Sequence, residues 1–241
     1  AALTVDGAWT TRTTLTDTAG NTGAASDAGF TLDRAAPGAP LVSLPEGPQG
    51  VSAAEAISGG GTPVRVALPV DARAGDQVTT EVTRPDGSKF TLTATLTDAD
   101  IAQAVVFLLI GTAELVADGA WWTSTTLTDP AGNVSAPATA GFMLDVQSPT
   151  APAASLAAIS DTGTPGDRLT SDNTPTLTGS GATPGDSITV RDINGKVLAT
   201  AVVQPDGTWS ATSQSALPDG VNALQIIATD PFGNASPATP L

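Results

Sequence analysis

The stretch "LTDPAGNVSAPATAGFMLD", from Leu127 to Asp145, repeats almost verbatim an earlier stretch, "LTDTAGNTGAASDAGFTLD", from Leu15 to Asp33. Matching residues are displaced by 112 positions, which is about the length of a small domain. A third and more divergent copy, "LPDGVNALQIIATDPFGNASPATP", begins at Leu217 and aligns with the second copy at a displacement of 101. A chain with such long internal periods is expected to fold as a row of similar units that touch only their neighbours.

Each full repeat contains about seven strand-like segments bounded by clusters of Gly, Pro, Asp and Asn, a spacing typical of a β-sandwich. In the last repeat we denote the predicted strands A to G, at 153–159, 174–180, 186–193, 196–203, 208–213, 222–229 and 235–240. Seven antiparallel strands in about 90 residues are typical of an immunoglobulin-like sandwich. We therefore predict an all-β fold of tandem immunoglobulin-like β-sandwich domains in an elongated array.

The longest apolar run, "AVVFLLI" at 104–110, is too short to cross a bilayer and is predicted to be a buried strand. Proline-rich segments at 34–40 and 146–152 separate the units. We expect 1–36 to be the last hairpin, strands F and G, of a truncated repeat, followed by complete repeats at 37–148 and 149–241. A lone hairpin is marginally stable, so either its other strands belong to a longer protein or another chain supplies them; truncation is the simpler interpretation.

The composition excludes several classes of function. The chain has no Cys, His or Tyr, so disulfides, thiolate zinc sites and histidine-based catalysis are absent. Its formal net charge is −15, with 9 basic and 24 acidic residues, which opposes binding to nucleic acid and to anionic lipid. No pattern groups a nucleophile with a base, so we expect no enzymatic activity. Because the longest apolar run is too short to cross a bilayer, we also expect no direct membrane insertion.

The sequence resembles the bacterial Ig-like repeats of large biofilm-associated and RTX-type surface adhesins. The resemblance covers essentially the whole chain and is carried by "LTDPAGNVS", "SPTAP", "DTGTPGDRLTSDNTPTLTGSG" at 161–181 and "PDGTWS" at 205–210. It implies a structural extender on the bacterial cell surface, exported in one step, that holds a terminal binding module away from the cell and is stiffened by Ca²⁺ at or near its joints. The expected partners are neighbouring repeats of the same chain, the expected state is a monomer, and the ligand of the parent protein is unknown.

Acidic residues cluster in one loop of the last repeat. Asp161, Asp167 and Asp172 lie within twelve residues, accompanied by Arg168 as the only base. Asp is favoured in turns for backbone reasons alone, but closely spaced carboxylates repel one another unless a cation neutralises them. Oxygen ligands without His or Cys select Ca²⁺ over transition metals. We therefore predict a calcium site in this loop, which strand counting places near Asp219.

Two further calcium sites are predicted at the joints between repeats. In a seven-stranded sandwich the turn between strands F and G lies at the amino-terminal end of the domain, whereas strand G ends beside the following domain. Each joint should therefore gather acids from both sides: Asp145 with Asp230 and Asn234 at one, and Asp33 with Asp129 and Asn133 at the other. The corresponding A–B segment of the second repeat, 45–61, keeps one acid of three and is predicted to bind no calcium.

Adjacent tryptophans favour an alternative function. Trp121 and Trp122 lie in the predicted strand F of the second repeat and must point to opposite faces, so one of them should be exposed. An exposed indole ring can stack on sugars. The alternative to an extender is therefore a ligand-binding Ig-like module that recognises a glycan or a protein partner.

Overall fold

The computed structural model describes residues 3–44 and 50–241. The chain is mainly β-strand, as its content of Val, Thr and Ile and its frequent Gly and Pro predict. No helix in the described part of the chain has the length and hydrophobicity that a bilayer-spanning helix requires.

The first unit is a two-stranded hairpin. Strand β1 (Gly7–Thr13) pairs antiparallel with β2 (Ser26–Leu32), which places Trp9 opposite Phe30. No third strand joins this sheet among the residues described, and the Phe30 side chain remains exposed. The hairpin therefore presents an apolar pair on an uncovered face.

The second unit is a sandwich of two sheets. One sheet has the strand order β4-β10-β9-β6-β7 and the other has the order β3-β5-β8. Strand β4 pairs parallel with β10, with Leu144 beside Val51, whereas the other pairings are antiparallel. The elements are β3 (Leu41–Ser43), β4 (Val51–Ser52), α1 (Ala53–Ile57), a 3₁₀ turn (Ser58–Gly60), β5 (Gly61–Ala67), β6 (Gln77–Thr83), β7 (Lys89–Thr95), α2 (Asp98–Gln103), β8 (Val105–Gly111), β9 (Gly119–Thr128) and β10 (Ala138–Asp145).

Alternating side chains from the two sheets form the core of this sandwich. Trp121 is fully buried and stacks on Phe142, with the ring centroids 5.8 Å apart. The indole N–H donates a hydrogen bond to the carbonyl of Ala117 at 3.0 Å, which satisfies the polar atom of a buried Trp. Trp9 and Phe30 form the equivalent cross-strand pair in the first hairpin, which no second sheet covers among residues 3–44 and 50–241.

The third unit is a sandwich in which all seven predicted strands are confirmed. Strands A, B and E form one sheet and C′, C, F and G form the other, with the fourth predicted segment acting as C′. Its core contains Trp209, Ile188 and Ile226, all at most 1% exposed. The strands are β11 (Ala153–Leu156), β12 (Thr176–Ser180), β13 (Ser187–Asp192), β14 (Val197–Val202), β15 (Thr208–Thr212), β16 (Leu224–Thr229) and β17 (Thr239–Pro240).

The segment predicted as a buried strand at 104–110 does form a strand, β8, but only one of its faces is buried. Strand β8 is an edge strand of its three-stranded sheet, and only one of its faces packs on the core. Val106, Leu108 and Ile110 are buried, whereas Phe107 is 58% exposed and Leu109 is 45% exposed. An apolar run without alternation does not reveal which of its two faces lacks a covering layer.

The prediction for the adjacent tryptophans is confirmed. Trp121 is buried in the core, and Trp122 points outward with 58% of its surface exposed. The outer ring lies over Gly141 on the neighbouring strand β10, where an added Cβ would be 2.8 Å from a ring carbon. The ring thus covers a glycine of the sheet.

Candidate functional site

The turns between the last two strands of the three units have the same conformation. In the third unit, one carboxylate oxygen of Asp230 accepts the backbone N–H groups of Phe232 and Asn234, each at 2.9 Å. The other oxygen accepts a side-chain N–H of Asn234 at 2.9 Å. Asp17 and Asp129 make the equivalent three bonds in the first two units. Each Asp therefore organises its own turn.

In the first two units these hydrogen bonds favour the charged form of the turn acid. The side-chain amide of Asn21 is the largest cause of a lowered pKa at Asp17, and the side-chain amide of Asn133 lowers the pKa of Asp129 in the same way. Donors that point at a carboxylate favour its ionised form. Their role in forming the turn is thus sufficient to explain why these positions hold acidic residues.

The joint between the second and third units is built on Asn234. Its Nδ2 donates to the main-chain oxygen of Asp145 at 2.9 Å, and its Oδ1 accepts the backbone N–H of Ala53 at 2.8 Å. The Asp145 carboxylate accepts the N–H of Gln147 at 3.0 Å. The structure therefore brings Asn234 to Asp145, as strand counting predicts, but through the backbone of Asp145. The carboxylate of Asp230 accepts hydrogen bonds from Phe232 and Asn234 within its own turn.

The joint between the first and second units has the hydrogen bond from the Asn side chain to the preceding unit's main-chain oxygen. Nδ2 of Asn133 donates to the main-chain oxygen of Asp33 at 3.2 Å. The Asp33 carboxylate accepts the N–H of Ala35 at 3.1 Å, so it caps the segment that leaves the hairpin. The predicted set of Asp33, Asp129 and Asn133 is thus in contact through one amide and one carbonyl.

Two carboxylates that the sequence analysis did not select lie close to the joints. Asp118 lines a cavity of about 330 Å³ with Asp145, Gln147 and Phe232, and it accepts the N–H of Val146 at 2.8 Å. In the first unit the corresponding acid, Asp6, instead forms an ion pair with Arg34, with Nε and Oδ1 2.7 Å apart. Asp6 and Asp118 are 112 positions apart, so the sequence repeat could have identified them as equivalent acids.

Asp186 is the second of these residues. It is 2% exposed, and it accepts the backbone N–H of Thr183 at 3.1 Å. Burial raises the pKa of Asp186, and the negative charge of Asp230 raises it further. A buried acid next to a turn acid at the amino-terminal end of a repeat is a position where a cation would relieve electrostatic cost.

The acids of the predicted calcium loop each take part in a local turn. Asp167 accepts the N–H of Leu169 at 2.9 Å. Asp172 accepts the N–H of Thr174 at 2.9 Å and the hydroxyl of Ser160 at 2.8 Å. The N–H of Thr174, followed by the Ser160 hydroxyl, lowers the pKa of Asp172. Both acids therefore form part of the loop framework.

Asp161 is the acid of this loop that best fits a cation. One of its carboxylate oxygens accepts the N–H of Gly166, whereas Oδ1 is buried and has no hydrogen-bond partner in the described part of the chain. A buried, unpartnered carboxylate oxygen is costly, and a hard cation would satisfy it. No three acidic side chains within 3–44 and 50–241 lie close enough to share an ion. Main-chain carbonyls and water would therefore have to complete the shell.

The acidic loop lies at the end of the third unit that is opposite its F–G turn. Asp172 lines a cavity of about 760 Å³ together with Asp219, Leu217 and Leu241. This position near Asp219 agrees with the placement that strand counting predicts.

The corresponding segment of the second unit has a different structure. Helix α1 begins with a capping box, in which the Ser52 hydroxyl accepts the N–H of Glu55 and the Glu55 carboxylate accepts the N–H of Ser52. The predicted loop at 45–61 is therefore partly helical. Its residues 45–49 lie outside the described residues, and the absence of calcium binding in this segment stays a prediction.

Comparisons with known proteins agree with this fold. Residues 148–241 match the family model described as Bacterial Ig-like domain. This segment is a bacterial Ig-like domain. The family that the sequence resembles is confirmed for residues 148–241, and the predicted all-β class is confirmed for the chain. The two preceding units have the same F–G turn as this Ig-like domain. A search of curated protein sequences finds no match.

Three solved structures illustrate what the chain is similar to. A Ca²⁺-stabilized adhesin that helps an Antarctic bacterium to bind ice has 25% sequence identity over 97% of this chain, with a TM-score of 0.49. A 1.5-MDa bacterial ice-binding adhesin has 21% identity over 98% of the chain and a TM-score of 0.43, and the BSP domain of a biofilm-associated protein has 18% over 83% and 0.28. This chain spans 55%, 73% and 28% of those three chains, respectively.

Proposed function

We propose that this chain is a structural spacer in a bacterial cell-surface adhesin. Its repeats, 1–36, 37–148 and 149–241, follow one another end to end and hold other parts of the protein at a distance from the cell. The single observation that carries this proposal is the contact of Asn234 in the third unit with Ala53 and Asp145 at the end of the second. Units that dock in series through their ends form a quasi-one-dimensional array.

The net charge of the chain supports a role that involves cations. A net charge of −15 without His or Cys favours hard divalent cations as ligands. We propose Ca²⁺ as a stabilising ion in the acidic loop, held by Asp161 with main-chain carbonyls and water and attracted by the nearby carboxylates of Asp167 and Asp172. At the joints we propose the carboxylates of Asp145 and Asp230, with Asn234 held beside them by its hydrogen bonds, and Asp33 with Asp129 and Asn133. The unpartnered oxygen of Asp161 and the pairing of Asp186 with Asp230 support these positions.

The alternative function is a ligand-binding Ig-like module. The exposed ring of Trp122 is the observation that favours it, because an open indole face can stack on a sugar. The close contact of that ring with Gly141 explains its position by packing alone. We therefore prefer the spacer function, which assigns a role to the contacts at both joints.

Small-angle X-ray scattering of this chain, with Ca²⁺ and with chelator, tests the proposal. We expect an elongated particle whose maximum dimension is larger with Ca²⁺, because neutralised acids allow the units to align. A compact particle would contradict the spacer function. An unchanged dimension combined with saturable binding on a glycan array would favour the alternative.

The proposed ion in the acidic loop has a separate readout. The melting temperature of the third unit should rise with Ca²⁺, and Asp161→Asn should abolish that rise because the amide loses the charge that attracts the ion. Asp206→Asn is the matched control, since Asp206 is an exposed turn acid of the same unit outside the loop. A rise that persists in Asp161→Asn would exclude Asp161 as a ligand.

A further inference from the structure

The end of the parallel ladder between β4 and β10 leaves two backbone groups to be satisfied. The ladder pairs Asp145 with Ser52, and the N–H of Ala53 and the carbonyl of Asp145 lie at its end. Both groups bond to one side chain, the amide of Asn234, at 2.8 and 2.9 Å. A primary amide carries a donor and an acceptor side by side, as a peptide group does. The side chain therefore adds one more rung to the ladder, supplied by the next repeat.

The turn of the third unit holds this amide ready for docking. Asp230 accepts both the backbone N–H and a side-chain N–H of Asn234, so the amide plane is set before the repeats meet. Asn234 is 4% exposed, so its hydrogen bonds are shielded from water. A preorganised donor–acceptor pair loses little conformational entropy when it binds. Asp230 thus acts as a positioning residue for the contact.

A phenyl ring and a glycine form the apolar part of the same contact. A Cβ on Gly50 would lie 2.6 Å from a ring carbon of Phe232 and 2.6 Å from the carbonyl oxygen of Met143. Gly50 also has φ of +93°, a conformation that other residues rarely adopt. The ring of Phe232 therefore occupies space that only a glycine leaves open at the end of the second unit.

The other joint lacks part of this arrangement. The turn at Asp129 has Ala131 where the third unit has Phe232. Asn133 donates to Asp33, but within the described residues its Oδ1 accepts no hydrogen bond. The complete contact thus needs both an aromatic residue in the turn and a preceding unit that contains a β4–β10 ladder.

We propose that the turn Asp230-Pro231-Phe232-Gly233-Asn234 is a recognition element that docks one Ig-like repeat onto the end of the preceding repeat. The amide of Asn234 binds the unpaired backbone groups at the ladder end, and Phe232 selects a unit with glycine at the position of Gly50. The contact is made by protein atoms, and a Ca²⁺ ion at this joint would be held by the carboxylates of Asp145 and Asp230 beside it. The docking contact does not depend on the proposed function. Its biological role, which is to order neighbouring repeats in the spacer, rests on that function.

Amide hydrogen exchange on the full chain tests this inference at a single atom. The N–H of Ala53 bonds to Oδ1 of Asn234, whereas the neighbouring N–H of Ser52 bonds to Glu55 and serves as an internal reference. Asn234→Asp keeps the size and the Oδ1 acceptor but replaces the donor Nδ2 by an oxygen, and it places a carboxylate against the carbonyl of Asp145. We expect Ala53 to exchange at least about tenfold faster in this variant, with Ca²⁺ or with chelator, and Ser52 to be unchanged.

The control variant is Asn133→Asp, which changes the same turn in the preceding repeat and should leave Ala53 unchanged. If Asn234 instead held the joint as a calcium ligand, an Asp at 234 would keep or strengthen the Ca²⁺-dependent protection of Ala53. That outcome, or an unprotected Ala53 in the wild type, would overturn the inference. Neither outcome bears on the shape of the particle, which tests the spacer function separately.

A double-mutant cycle tests the apolar part of the contact. Gly50→Ala should accelerate the exchange of Ala53 when Phe232 is present, because the added methyl group collides with the ring. In the Phe232→Ala background the same substitution should accelerate the exchange of Ala53 less. The acceleration that is still seen there reports the strain of the positive φ and the clash with Met143. Equal effects in the two backgrounds would show that Phe232 does not select the glycine.

Discussion

At the scale of single residues, an acid that forms a turn also positions the neighbouring side chain that contacts the preceding unit. Asp230 forms its turn, and that turn aims Asn234 at backbone groups of the preceding unit. Local spacing predicts the turn, because all its bonds lie within five residues. It cannot predict the partners of Asn234, which are 89 and 181 positions away in the chain and are not side chains.

The buried Asp186 leads to a prediction about pH. Its pKa is raised above the usual 3.8 in the folded state, so the charged carboxylate opposes folding at neutral pH. Stability from this group is gained as the pH falls through the folded-state pKa. Asp186→Asn should therefore be more stable than the wild type at neutral pH, and its advantage should shrink toward about pH 4. Urea unfolding at a series of pH values measures this difference.

Asp206→Asn provides a control of opposite sign. The hydroxyl of Thr208, followed by its backbone N–H, lowers the pKa of Asp206. The stability that this acid contributes is present above its unfolded-state pKa and is lost as the pH falls through the folded value. The variant should be less stable than the wild type at neutral pH. The pH argument would fail if both variants changed stability in the same direction.

At the scale of elements, the strands of the third unit are predictable because alternation and turn residues act locally. Its seven segments appear in the structure within a few residues of their predicted ends. The A–B region of the second unit is less predictable, since its short α1 depends on the capping box of Ser52 and Glu55. The exposed face of β8 depends on which layer lies opposite, and this is a tertiary property.

The two Trp–Phe pairs give a matched test of how much an element depends on its surroundings. Trp121 is buried between two sheets, whereas Trp9 lies on the uncovered hairpin. Trp121→Ala should destabilise the second unit by about 3–5 kcal/mol, because it removes a large core side chain. Trp9→Ala should leave the unfolding of that unit unchanged. Denaturant unfolding followed by circular dichroism distinguishes them, and similar losses in both variants would contradict the separate-core arrangement.

At the scale of the whole molecule, the periods of 112 and 101 predict the number of units and the position of their joints. Strand counting also predicts which ends meet, because the direction of strand G and the place of the F–G turn follow from the sandwich topology. The contacts across the joint are not predictable in the same way. They depend on Gly50 and Ala53, which lie in a segment that has no counterpart of similar sequence in the third unit.

The two joints should differ in strength. The hairpin contacts the second unit through the exposed bond from Asn133 to Asp33, whereas the third unit uses two bonds and a phenyl ring. Removal of residues 1–36 should therefore change the free energy of unfolding of the second unit by less than about 0.5 kcal/mol. Calorimetry of the shortened chain measures this change. A large loss would mean that the apolar face of the hairpin packs on its neighbour.

The joint at Asn234 also determines how the chain should respond to tension. A pull along the chain loads the few hydrogen bonds of the joint before it loads the ladders of either sandwich. The joint should therefore yield first and absorb extension while both cores stay folded. The linker of Val146 to Pro152 keeps the separated surfaces close together, so their effective concentration stays high and the contact re-forms when the load falls. We therefore expect the contact at Asn234 to break and re-form under load and to protect the domains on either side from unfolding.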